Sequence, residues 1–152
     1  MRKPLPSRPL LSLVAAAFLG LSGAGVTGVA LAESPWPSAA RVYFIEPANG
    51  AVVTGKVTVK FGLSGLGVAP AGVEKANTGH HHLLVDMDAP TGAKLDEPLP
   101  VDAHLRHFGG GQTETVLDLP PGRHTLQLIV GDANHIPHDP PLTSQKIEID
   151  VK

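Results

Sequence analysis

Lys56-Val57-Thr58-Val59-Lys60-Phe61-Gly62-Leu63 decides the fold class. Val57, Val59, Phe61 and Leu63 occupy every second position, with Thr58 and Lys60 between them. Successive side chains of a strand point to opposite faces, so the pattern is a strand buried on one face and wet on the other. The same period of two recurs at 123–130, where Leu126, Leu128 and Val130 turn inward. It recurs again at 145–151, where Ile147, Ile149 and Val151 do. Shorter β runs are expected at 42–45 (continued at 52–53), 81–87, 101–106 and 112–119. Turn signals separate them: Pro47-Ala48-Asn49-Gly50, Gly109-Gly110-Gly111 and Pro120-Pro121-Gly122. No helical period appears after the first 32 residues. About seven short strands with Gly/Pro turns predict an all-β fold, a single immunoglobulin-like antiparallel β-sandwich over 41–152.

The first 32 residues read differently. Arg2, Lys3 and Arg8 precede an apolar run from Leu10 to Val29, and Ala30-Leu31-Ala32 forms a small-residue cleavage site. That is the build of a secretory signal peptide. The run is long enough to span a bilayer, but Gly20, Gly23, Gly25 and Gly28 interrupt it, and cleavage is the expectation. Residues 33–40 then form a linker, and the mature chain keeps no membrane span. It carries nine basic against 14 acidic residues, a formal charge of −5. That balance argues against nucleic acid as a partner. The expected location is periplasmic or secreted. With no cysteine there is neither a disulfide framework nor a thiol for a lipid anchor, so one hydrophobic core has to suffice.

Chemistry concentrates in histidine. Gly79-His80-His81-His82-Leu83-Leu84-Val85-Asp86 runs three imidazoles into an apolar strand. Alternation puts His80 and His82 on one face and His81 on the other, with Leu83, Val85 and Met87. In an immunoglobulin-like order, the turn before residue 81, the turn after 106 and the loop after 130 share one end of the sandwich. His80, His81, His82, His107, His135 and His138 therefore map to one end from three separate segments. Neutral imidazole is a ligand for copper and zinc, and a cysteine-free site of this kind suits either metal. Met87 is the sole methionine of the mature chain and is expected in the core, which disfavours a thioether site for Cu(I). Asp139 is placed to orient an imidazole. The alternative reading is a metal-free interaction module of the cell envelope, meeting a partner protein, with the histidines as a hydrogen-bonded network pinning the loops. His124, after Pro121-Gly122, is expected to bond back to the backbone as a corner residue, and His104 to lie at the surface. No phosphate loop, nucleophile elbow or H-E-x-x-H motif is present, so no catalytic residue is assigned.

Four stretches in order resemble the DUF4399 family of small exported bacterial domains: Gly79 to Asp86, His107-Phe108-Gly109-Gly110-Gly111-Gln112-Thr113-Glu114, Pro121 to Leu128, and Gly131 to Pro141. The resemblance covers about residues 57 to 151. It implies an exported protein and brings no established activity.

Overall fold

Where one face of a strand meets water, burial follows the period of two. The computed structural model describes residues 36–152; the expected signal peptide lies outside the described residues. The strands are β1 (Arg41–Glu46), β2 (Ala51–Val53), β3 (Val57–Ser64), β4 (Gly67–Val68), β5 (Thr78–Val85), β6 (Leu105–His107), β7 (Glu114–Leu117), β8 (Gly122–Gly131) and β9 (Ile147–Val151). One sheet has the order β1-β3-β7. The other runs β2-β9-β8-β5-β4, with β6 also paired to β5. Two pairs are parallel, β2 with β9 and β4 with β5; the rest are antiparallel. The expected all-β sandwich is what forms.

The main core lies between the sheets. Val57, Val59 and Phe61 of β3 meet Leu83 and Val85 of β5, Leu126, Leu128 and Val130 of β8, and Ile147, Ile149 and Val151 of β9. Each such side chain contributes about 1.5–3 kcal/mol on full burial. A second, smaller cluster sits on the outer face of the larger sheet: Leu84, Leu99, Leu105 and Ile129, with Met87 and Ala89 against it. It is covered by the segment joining β5 to β6, which includes a 3-10 turn at Gly92–Asp96 whose Leu95 is buried. The larger sheet is therefore a middle layer, and β5 is buried from Gly79 to Val85 on both faces.

Three local expectations change. β5 begins at Thr78, so the three histidines stand inside the strand and not at its mouth. Met87 does not continue the inward face. Asp86 takes a left-handed backbone (φ 56°) that breaks the alternation, and Met87 packs with the outer cluster instead. The stretch expected as a strand at 101–106 shrinks to Leu105–His107, paired to β5.

The ends of the fold are tied by side chains. Trp36 packs into the main core, and its Nε1 donates to the Pro137 carbonyl at 2.8 Å. At the opposite end, His124 Nε2 lies 2.8 Å from the Pro120 carbonyl and Nδ1 2.7 Å from Asp86 Oδ2. Both partners are acceptors, so the arrangement favours the doubly protonated ring, in which both nitrogens donate. The hydrogen bond to Asp86 accordingly raises the pKa of His124. The corner role expected of His124 is present, with a carboxylate added.

Candidate metal centre

Cross-strand register assembles the cluster. On β5, His80 lies opposite Gly131 of β8 and His82 opposite Ile129. On the other flank His82 faces His107 of β6. His80 and His82 share the outer face with Leu84; His81 takes the inner face, its ring 4.7 Å from that of Phe61. The loop after β8 brings in His135. Ring centroids are 4.7 Å apart for His80–His82, 5.0 Å for His80–His107, 4.9 Å for His80–His135, 5.1 Å for His82–His107 and 4.7 Å for His107–His135. The longest separation is His82–His135 at 5.9 Å. Ring nitrogens of His80, His82 and His107 all lie within 4.8 Å of one another, close enough to hold a metal ion. His135 Nε2 lies 3.2 Å from His107 Nε2. Tetrahedral metal–nitrogen bonds of 2.0–2.1 Å set donors about 3.3 Å apart, so this last pair already has ligand spacing.

His138 does not join the four. Its Nε2 bonds Asp132 Oδ2 at 2.9 Å, and its ring meets Trp36 edge-on at 5.6 Å. His104 is exposed, with Nδ1 3.0 Å from the Val85 carbonyl. Of the candidate residues, then, His80, His82, His107 and His135 converge, while His81 and His138 stand apart.

The electrostatics follow from burial. His80, His81 and His82 are fully buried, and no protein group hydrogen-bonds any of their six ring nitrogens. Burial pulls the pKa of His80 down to about 4, aided by the nearby His107 and His135 and opposed by Asp132. Burial, with His80 and His107 next, takes His82 to about 3. His81 falls to about 4 through burial; the backbone near Gln112 and Gly62 partly offsets this without a hydrogen bond of good geometry. His107 is lowered by burial and then by His135. At neutral pH the buried rings are therefore uncharged, the form in which imidazole binds metals. A buried polar group without a partner costs about 1–3 kcal/mol, so this arrangement calls for something to engage it.

Glycines make room for the rings. A Cβ on Gly109 would overlap the His107 ring, and one on Gly131 would come within 2.9 Å of His82 Cε1 and 3.2 Å of the His135 backbone. The His135 loop is held in an unusual shape. His135 and His138 both have left-handed backbones (φ 68° and 61°), at a cost of order 1–3 kcal/mol each. Asp132 compensates. Its Oδ1 accepts the amides of Asn134 and Ile136 at 2.8 and 2.9 Å, and its Oδ2 accepts from His138. The His135 amide donates to the Asp132 carbonyl, and the His135 carbonyl accepts from the Leu99 amide, both at 3.0 Å. Asp132, and not Asp139, organises this loop. An aspartate two to four residues before its amide partners was the available signal.

Residues 59–152 match the family described as Domain of unknown function (DUF4399). The chain belongs to that family. All four converging histidines lie within the DUF4399 match, while Trp36, β1 and β2 precede it. No curated protein matches the chain. Among solved structures, the endo-beta-1,4-mannanase from Thermotoga petrophila is similar at 17% identity and a TM-score of 0.43, over 74% of this chain and 20% of that one. The DUF4399 chain thus spans about one fifth of that structure.

Proposed function

We propose that this is an exported domain that binds one copper(II) or zinc(II) ion, with His80, His82 and His107 as ligands and His135 as the fourth. One observation carries the reading: imidazoles from β5, β6 and the loop after β8 meet at a buried point where His80 and His82 have no hydrogen-bond partner in the protein. An all-imidazole donor set without thiolate suits either ion, and Met87 packs with Leu84 and Leu99 on the outer face. Export rests on the composition of residues 1–32; among the described residues no helix is long and apolar enough to cross a membrane.

The competing reading, a metal-free histidine clasp for an envelope partner, draws support from one contact, His107 to His135. It leaves His80 and His82 unexplained. The test is titration of the mature domain with Cu(II) and Zn(II), alongside a His80→Ala/His82→Ala variant and elemental analysis of protein purified from its own envelope. One equivalent bound by the wild type and none by the variant is expected. A wild type that arrives metal-free and takes up no ion would sink the proposal.

A further inference from the structure

The four histidines are not equivalent. His80 and His82 are fully buried in β5, which is hydrogen-bonded to β8 on one side and β6 on the other. His107 ends β6, directly opposite His82. These three move only if the sheet moves. His135 is built differently. It is half-buried, stands on a loop, has a left-handed backbone, and lies farthest from His82. Its own backbone is held by the Asp132 turn and by the hydrogen bond from the Leu99 amide, while the residues flanking it are tied to other segments through the Ala133, Pro137 and His138 backbone. The half-buried pair, His107 and His135, marks the side from which solvent reaches the cluster.

We propose that His135 is the exchangeable ligand of this site. Resting on the metal-binding reading, the inference is that the sheet triad retains the ion while His135 closes the last coordination position and yields it to a small donor from solvent. In that exchange the metal–nitrogen bond to His135 breaks as a bond to the incoming donor forms, with no change in oxidation state. A three-imidazole ion with one open position is the arrangement found where zinc or copper meets an exogenous ligand.

The decisive variant is His135→Gly, because glycine adopts positive φ without strain and the loop keeps its turn. His135→Asn, also tolerant of that backbone, guards against an effect of added flexibility. The probes are Cu(II) alone and then azide, read by titration and electron paramagnetic resonance. His135→Gly is expected still to bind one equivalent of Cu(II), more weakly than wild type. Its spectrum should show one fewer coordinated nitrogen, and azide should perturb it at lower concentration than wild type needs. His82→Ala should lose stoichiometric binding. Complete loss of Cu(II) in both His135 variants would overturn the inference, as would a His135→Gly spectrum and azide response identical to wild type. A wild type that binds no Cu(II) would overturn the underlying metal reading as well, so the two failures are distinguishable.

Discussion

Gly109 shows how little room the site has. Its backbone is not left-handed, so alanine there would ordinarily stabilise by about 0.4–1 kcal/mol through the unfolded chain. Here the added methyl meets the His107 ring, and overpacking of this kind costs about 1–3 kcal/mol. Gly109→Ala should therefore be net destabilising and should weaken metal binding by displacing His107; a denaturant melt and a metal titration check both, and a stabilised variant with unchanged affinity would contradict the packing. At the other end, His124 and Asp86 make a residue-scale pH device. Burial opposes ionisation of Asp86, but hydrogen bonds from His124 and the Thr125 amide outweigh it, and the carboxyl ends below its ordinary value. The contribution of Asp86 is thus present above the ordinary carboxylate pKa and is lost as pH falls through the folded value. The pKa of His124 is raised, so its contribution is full below the ordinary imidazole value and is lost as pH rises through the folded one. The pair is at its strongest between those limits. Asp86→Asn should cost about 1–2 kcal/mol in that window, towards the lower figure because the carboxylate is partly solvated. The difference from wild type should shrink at high pH, as measured by urea midpoints across pH.

At the scale of elements, β5 carries a pH dependence of the opposite sign. His80, His81 and His82 have folded pKa values of about 4, 4 and 3, below the ordinary 6.5. Between those limits the unfolded chain binds more protons than the folded one, so metal-free stability falls as pH drops from about 6.5 towards 4. Three buried rings set against the single His124 make the domain acid-labile, and urea melts of metal-free protein from pH 7 to 4 should show it; a flat profile would mean the rings are not buried as described. The segment from Trp36 is a second element with a testable role. Its indole packs in the core and bonds Pro137 next to the His135 loop. Trp36→Ala should cost about 3 kcal/mol and Trp36→Phe, which loses mainly the hydrogen bond, about 1 kcal/mol, read by thermal or urea melts. The strands legible in the sequence were those with one wet face, such as β3, β9 and the first half of β8, because burial there writes a period of two. β5 hid its register, since both faces are covered and apolar or histidine residues fill every position. The convergence of His107 and His135 with residues 80 and 82 was legible from chain order. The partners of His138 and Trp36 were not, because they depend on contacts across 101 positions of sequence in the case of Trp36 and on an aspartate's loop geometry in the case of His138.

For the whole molecule, metal binding and folding should be linked. With no cysteine the sandwich stands on its two apolar clusters, and an ion bound only by the folded state at 100 times its Kd adds about 2.7 kcal/mol. The melting temperature should rise with Cu(II) or Zn(II) in wild type and not in His80→Ala/His82→Ala; equal shifts in both would place the ion elsewhere. The burial of β5 on both faces, between β8 and β6, has one more outcome, and it concerns time. Amide deuteration should reach that strand last, since its opening requires disruption of the middle layer. A metal held there would then have two clocks: a fast one set by the loop, governing what visits the ion, and a slow one set by global unfolding, governing whether the ion ever leaves.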